Sequence, residues 1–189
     1  DLDAAARVFA RIHALLPCPG LLRQEGPVAA VAAESLGLIN RYPGHALGHE
    51  RGTLLRYHER IVRLGEESRS LFSADRPCVV NTEVNSGNFL VGPAGAFLVD
   101  WEKAVVSSRH QDLGHFLAPT TTLWRTDTVI DAAPRRAFLA AYHATLQDAP
   151  PLESLDRQCA VMERAVILRG LAWCFMAWHE YAHGMKALT

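Results

Sequence analysis

Hydrophobic residues recur three or four positions apart through most of the chain. The stretches with this spacing are 2–16, 27–39, about 47–70, about 109–118, 134–147 and about 155–183. A period near 3.6 residues predicts amphipathic helices that bury one face in a shared core. Asp1 is placed to cap the first of these helices, and Pro17 is placed to end it.

The pattern changes in the middle of the chain. Short apolar runs rich in β-forming residues appear at 77–81, 88–91 and 96–99, separated by turn residues. The stretch 118–128 lacks either period and predicts an irregular loop. We therefore expect an α+β fold that is mostly helical, with a small β-hairpin insert.

Composition agrees with one folded domain over residues 1–189. Hydrophobic residues make up 49% of the chain and charged residues 21%, a balance typical of globular proteins. The formal net charge of −1 gives no electrostatic reason to bind nucleic acid or an anionic membrane. No apolar run reaches membrane-spanning length, so we expect no membrane partner.

The cysteines are scattered, at positions 18, 78, 159 and 174, and no Cys-x-x-Cys motif occurs. Each lies in an apolar stretch, which favours buried free thiols over disulfides or a thiolate metal site. Free thiols are typical of a reducing compartment. We therefore expect a cytoplasmic protein.

The β insert predicts a cluster of oxygen ligands. If 89–91 pairs with 96–99, Phe89 faces Leu98, and Asn88 falls opposite Val99 beside Asp100. Glu102 lies just beyond this open end of the hairpin. An amide oxygen and carboxylates held together suit Mg²⁺ better than zinc. The alternative is an ordinary hairpin with solvated polar ends.

The segment before the hairpin carries a second pattern. Residues 81–88, Asn-Thr-Glu-Val-Asn-Ser-Gly-Asn, match the kinase catalytic loop His-x-Asp-x-x-x-x-Asn with two substitutions. The hairpin then ends in Asp100-Trp101-Glu102, where protein kinases have the metal-binding Asp-Phe-Gly. A loop that presents a base is thus followed by strands that deliver two metal ligands.

These segments resemble the C-terminal lobe of the aminoglycoside phosphotransferase and choline kinase-like family, which has a kinase-like fold. "VVNTEVNSGNFLV" with "AFLVDWEKA" is similar to that family's catalytic loop, hairpin and metal-binding Asp. "RHQDLGHFL" (109–117) resembles the helix that follows them, and "AARVFARIHALLP" (5–17) resembles the helix that opens the lobe. The closest agreement covers about 80–118.

The resemblance implies a phosphotransferase that uses ATP and Mg²⁺ on a hydroxyl of a small molecule. It implies that Glu83 is the proton acceptor, that Asn81 and Asp112 support the loop, and that Asn88 and Asp100 bind the metal and nucleotide phosphates. Glu102 is a further candidate metal ligand. No glycine-rich phosphate loop is found, and the only lysines, at 103 and 186, follow the catalytic loop. We therefore expect a longer chain to supply the N-terminal, nucleotide-binding lobe, with a natural single-lobe protein as the alternative.

Two departures from the family pattern support a rival hypothesis. Glu83 stands where Asp is usual, and Asn81 stands where His is usual. Glu moves the carboxylate outward by one methylene, and a misplacement of about 1 Å can cost about 100-fold in rate. The alternative is a pseudokinase or binding module that keeps the fold, with or without Mg²⁺ binding, and does not transfer phosphate.

Other motifs have ordinary structural explanations beside functional ones. "HEYAH" (179–183) fits the zinc-protease pattern His-Glu-x-x-His. A packed or solvated histidine pair at a helix end is, however, the commoner explanation of this spacing. His45, His49 and His58 allow a zinc site, although a loop entering a helix explains them equally. Trp173 and Trp178 are expected in the core, and Trp124 is the candidate substrate contact.

Overall fold

The computed structural model describes residues 2–17, 19–93 and 95–186, and it is mostly helical. The position of Asp1, the predicted cap, and that of Cys18 lie outside these residues, as does Ala94 of the hairpin turn. The helices are α1 (Leu2–His13), α2 (Pro27–Ile39), α3 (Gly48–Glu67), α4 (Arg69–Phe72), α5 (His110–Leu117), α6 (Pro119–Thr122), α7 (Ala132–Thr145) and α8 (Leu152–Ala182).

Two small antiparallel sheets interrupt the helices. One pairs β1 (Cys78–Val80) with β4 (Val105–Ser107). The other is the hairpin of β2 (Phe89–Gly92) and β3 (Gly95–Leu98). Phe89 pairs with Leu98 and Val91 with Ala96, so the register predicted from the sequence is confirmed. The α+β, mostly helical prediction is confirmed with it.

Helix α8 joins the two main parts of the core. Its N-terminal turns pack Leu155 and Cys159 against α1, α7 and the hairpin. Its middle turns pack Met162 and Val166 against α2 and α3. Buried side chains therefore occur on most faces of this 31-residue helix, which is expected for a helix surrounded by others. Among the described helices, none is long and apolar enough to cross a membrane.

The structure differs from the sequence-based expectations at a few places. Strand β4 was not predicted, because a run of only three residues gives a weak pattern of its own. The predicted loop 118–128 contains the one-turn helix α6, which begins at Pro119, a residue well suited to a first turn. The first helix ends at His13, earlier than the predicted 16, and the predicted helix 47–70 is divided at Ser68.

Gly114 sets how closely α5 approaches α8. A Cβ atom at this position would lie 2.7 Å from Met162 Cβ and 3.0 Å from the Glu163 backbone nitrogen. These distances are too short for a real side chain, so the helices would have to separate. We expect Gly114→Ala to lower the free energy of unfolding by about 1–3 kcal/mol, measured by urea denaturation.

Gly37 provides the matched control, because it is exposed near the end of α2 and an added Cβ would meet nothing within 4 Å. There Gly37→Ala should raise the free energy of unfolding by about 0.5–1 kcal/mol through helix propensity alone. Equal effects of the two substitutions would contradict the close packing of α5 on α8.

Candidate active site

Thr82 holds the loop between β1 and the hairpin in an unusual backbone conformation. Its φ is 71°, in the left-handed region, which is strained for a β-branched residue. Its backbone N–H donates to Asp112 Oδ1 at 2.8 Å, and its hydroxyl donates to the Lys103 carbonyl at 3.2 Å. Its own carbonyl accepts from His115 Nδ1 at 2.7 Å and from Arg169 Nη2 at 3.0 Å. These bonds hold the strained residue from several sides.

Asp112 is the buried centre of this support. It lies on α5 with no exposed surface, and its carboxylate accepts from the backbone N–H groups of Asn81 at 2.9 Å and Thr82 at 2.8 Å. His13 of α1 reaches the same carboxylate, at 3.3 Å, and binds the Tyr142 hydroxyl with its other nitrogen at 2.9 Å. The loop is therefore fixed to two helices through one acid.

Asn81 connects the loop to the end of the hairpin. Its side chain is fully buried, and Nδ2 donates to the backbone carbonyl of Asp100 at 2.7 Å. Its Oδ1 accepts from the backbone N–H of Glu83 at 3.0 Å. The side-chain amide of Asn81 thus sets the positions of Glu83 and Asp100 together. Because this amide is buried and hydrogen-bonded through both its nitrogen and its oxygen, it has little freedom to move.

Glu83 is partly exposed and is paired with a lysine. Lys103 Nζ lies 2.5 Å from Glu83 Oε1, and the two side chains are 57% and 34% exposed respectively. The hydrogen bond and charge of Glu83 raise the pKa of Lys103, so the lysine stays protonated at neutral pH. This pair, which was not predicted from the sequence, places a positive charge beside the candidate base.

The open end of the hairpin brings Asn88 and Asp100 to the same edge. The backbone N–H of Val99 donates to the Asn88 carbonyl at 2.9 Å, which places Asn88 beside the residue before Asp100. Asn88 Nδ2 donates to the Glu83 carbonyl at 2.7 Å, so its amide oxygen is the atom left for a ligand. Asp100 is exposed and has a φ of 62°, while Glu102 lies exposed in the following turn.

This donor set is chemically suited to Mg²⁺. An amide oxygen and a carboxylate oxygen are hard ligands, and the cation usually keeps several water ligands in addition. Among the described residues, no group of three or more His, Cys, Asp or Glu side chains is arranged to hold a metal ion. A site here would therefore depend on the oxygen of Asn88 together with the Asp100 carboxylate.

A cleft of about 620 Å³ opens beside the loop and runs along α8. Glu83 and Lys103 line it, together with Trp124 and Trp173, whose rings meet edge to face with centroids 5.1 Å apart. Trp124, the predicted substrate contact, therefore faces the cleft. The prediction that Trp173 and Trp178 belong to the core is wrong, because they are 36% and 43% exposed.

The competing histidine motifs have structural roles. His183 Nδ1 donates to the His179 carbonyl at 2.8 Å, and the His179 ring stacks on Tyr42 with centroids 4.3 Å apart. Glu180 accepts a hydrogen bond from the Tyr42 hydroxyl at 2.8 Å and pairs with Lys186. His45 is buried and stacked on Phe175 with centroids 3.6 Å apart. These contacts explain His45, His179 and His183 by packing at the end of α8. His49 and His58 lie on α3, and no metal-binding group of three or more His, Cys, Asp or Glu is found among the described residues.

The thiols are free where the structure describes them. Cys78 and Cys159 are buried as expected, and burial raises the pKa of Cys78 to about 12. Cys174 is exposed, contrary to the expectation of a buried thiol.

Lys103, His115 and Arg169 are site residues that the sequence analysis did not assign. Burial and the nearby Arg169 guanidinium lower the pKa of His115 to about 3, so it is a neutral donor to the loop. Arg169 interrupts a long apolar stretch of α8, and a single arginine in such a stretch was a signal that it reaches a polar partner. Lys103 follows directly on Glu102 and offered no comparable signal.

Comparison with protein families gives one assignment. A family model described as "Phosphotransferase enzyme family" matches residues 1–155, which is most of the chain. A comparison with curated proteins finds no match.

Two solved structures that share the fold of this chain are named as ethanolamine or choline/ethanolamine kinases. An ethanolamine kinase of Plasmodium vivax aligns with a TM-score of 0.65 and 13% identity, over 96% of this chain and 54% of its own. A choline/ethanolamine kinase family protein from Mesorhizobium loti aligns with a TM-score of 0.56 and 18% identity, over 97% and 59% respectively. The chain thus has a kinase-like fold and spans little more than half the length of these two proteins.

Proposed function

Since this chain belongs to the phosphotransferase enzyme family, we propose that it carries the catalytic and acceptor-binding part of an ATP-dependent small-molecule kinase. The acceptor would be a hydroxyl group. The observation that carries the proposal is the position of Glu83, which lines the cleft while its backbone N–H and carbonyl are held by Asn81 and Asn88.

Glu83 would accept or orient the proton of the acceptor hydroxyl. Phosphoryl transfer depends mainly on positioning and on electrostatic stabilisation of the transferred group. Asn81 and Asp112 would act by positioning, because their hydrogen bonds fix the loop backbone on both sides of Thr82. Lys103 donates to Glu83 Oε1 and so fixes where that carboxylate lies in the cleft.

Asn88 and Asp100 would hold Mg²⁺, and Glu102 is a further candidate at the same end of the hairpin. When bound, the metal would neutralise charge on the nucleotide phosphates. ATP would also require a nucleotide-binding lobe. We propose that sequence outside this chain supplies that lobe, since the two similar kinases are much longer than the aligned part. The cytoplasmic location stays a prediction.

The test is Mg²⁺-dependent phosphate transfer by the natural protein that carries this chain. A panel of hydroxylated metabolites and antibiotics would be screened by ATP consumption, with product mass confirming that a phosphate was added to the hydroxyl. Transfer to no acceptor, under conditions in which the protein binds ATP, would contradict the proposal.

The pairing of Glu83 with Lys103 gives the rival function its own support. The Lys103 ammonium lies 2.5 Å from Glu83 Oε1 and already occupies that oxygen, so it is not open to an acceptor hydroxyl. The chain would then be a pseudokinase or binding module that keeps the fold without transferring phosphate.

Glu83→Asp separates the two functions. If Glu83 is the working base, shortening its side chain withdraws the carboxylate from the acceptor, and we expect kcat to fall by about 10- to 100-fold. The measurement is steady-state phosphate transfer on the best acceptor of the screen.

Glu50→Asp is the matched control, since Glu50 is exposed in the first turn of α3, outside the cleft, and its shortening should leave kcat unchanged. A gain of activity in Glu83→Asp from an inactive starting protein would instead establish the degenerate function.

A further inference from the structure

The charged side chains that line the cleft disfavour the binding of a cationic acceptor. Among its described lining residues, the carboxylates are Glu34, Glu83 and Glu180. The cations are Arg41, Lys103, Arg169 and Lys186. With His115 neutral, the positive side chains exceed the negative ones.

Each of these carboxylates also has a cationic partner. Glu34 lies 3.5 Å from Arg169, and Glu83 lies 2.5 Å from Lys103. Glu180 lies 2.8 Å from Lys186, and its second oxygen accepts a hydrogen bond from the Tyr42 hydroxyl. A protonated amine entering the cleft would therefore have to displace an existing cationic partner before it could pair with any of these carboxylates.

The repulsion of a cationic acceptor is strongest beside Glu83, because Lys103 is paired with that residue. An acceptor hydroxyl must come within hydrogen-bond distance of Glu83 to lose its proton, which brings the acceptor next to the Lys103 ammonium. A positive charge close to that hydroxyl would be repelled, whereas a neutral or acidic group would not. Trp124 and Trp173 add exposed ring surface on which an apolar face can pack.

We propose that the acceptor is a hydroxyl compound without positive charge, either neutral or acidic, and that Lys103 excludes cationic amines from the site. This inference rests on the proposed function, because it concerns the acceptor of the same site. It assigns a substrate class that differs from choline and ethanolamine, and it predicts ligand selection that can be measured without nucleotide or transfer.

The experiment is ligand binding to the full chain by saturation-transfer NMR and calorimetry, using probes matched in shape. One pair is choline and its uncharged isostere 3,3-dimethylbutan-1-ol. A second set is glucosamine, glucose and glucuronate, below neutral pH so that the amine is protonated. We expect neutral or acidic members to bind at least about 10-fold more tightly than their cationic counterparts.

Lys103→Gln should reduce this discrimination several-fold, because it removes the ammonium and frees Glu83. The control Arg136→Gln removes one positive charge from an exposed position of α7 outside the cleft and should leave the discrimination unchanged.

Three results would overturn the proposal. They are a cationic probe that binds as tightly as its counterpart, a complete absence of binding by the neutral and acidic probes, and discrimination unchanged in Lys103→Gln. Failure of phosphate transfer would refute the proposed function instead, because these binding measurements do not depend on it.

Discussion

Asp100→Asn is expected to lower kcat for phosphate transfer by about 1000-fold, since metal-ion stabilisation of transferred charge is worth several kcal/mol. The substitution removes the carboxylate that the proposed Mg²⁺ site requires and keeps a side chain of nearly the same shape. The measurement is steady-state transfer by the natural protein over a range of Mg²⁺ concentrations. A rise in the Mg²⁺ concentration needed for half-maximal rate would identify the loss as one of metal binding.

Asn is a better replacement than Ala at this position because of the backbone. Asp100 has a φ of 62°, and Asn occupies the left-handed region more readily than Ala. The hydrogen bond from Asn81 to position 100 uses the backbone carbonyl, so it survives the substitution. A fall in activity in Asp100→Asn therefore cannot be attributed to a collapsed loop if the thermal melt is unchanged.

Asp148→Asn controls for the change in charge. Asp148 is 81% exposed and lies 3.6 Å from the Arg76 guanidinium. Its neutralisation should leave transfer unchanged. Full activity of Asp100→Asn beside a normal control would remove Asp100 from the metal site and, with it, the kinase interpretation of the hairpin.

The hairpin is the part of the site that the sequence predicted best. Alternating turn residues and apolar runs specify one register, since a shift by one residue would expose the buried Ala96 and Leu98. That register places Asn88 beside Val99 and Asp100, as the structure has it. The support of the loop by residues of α5 was expected only through the family resemblance, because nothing in local periodicity relates Asp112 to Asn81.

The features that the sequence did not predict depend on long-range contacts. Strand β4 exists because Val105 pairs with Val80, and Val106 bridges to Arg23. Trp173 follows the apolar period of α8, but the cleft leaves that face of the helix partly uncovered. The contact of Lys103 with Glu83 joins residues 20 positions apart across the hairpin, and no spacing rule relates them.

Asp112→Ala is expected to lower the free energy of unfolding by about 3–5 kcal/mol, because a buried acid that serves several partners would be lost. The backbone N–H groups of Asn81 and Thr82 would lose their acceptor, and His13 would lose a partner at 3.3 Å. A loss of this size is a large share of the stability of an ordinary domain. The measurement is urea denaturation of the full chain, followed by circular dichroism.

Two further variants separate the buried hydrogen bonds from a general effect of removing an acid. Asp148→Ala removes an exposed aspartate that pairs with Arg76 across 3.6 Å and should cost about 0.5 kcal/mol or less. Asp112→Asn keeps one acceptor oxygen and should fall between Asp112→Ala and the native protein, since only one of the two N–H groups can be served. A cost for Asp112→Ala as small as that for Asp148→Ala would show that water or a rearranged loop satisfies these groups. The left-handed conformation of Thr82 would then have to be maintained by His115 and Arg169 at its carbonyl, and not by the acid beneath it.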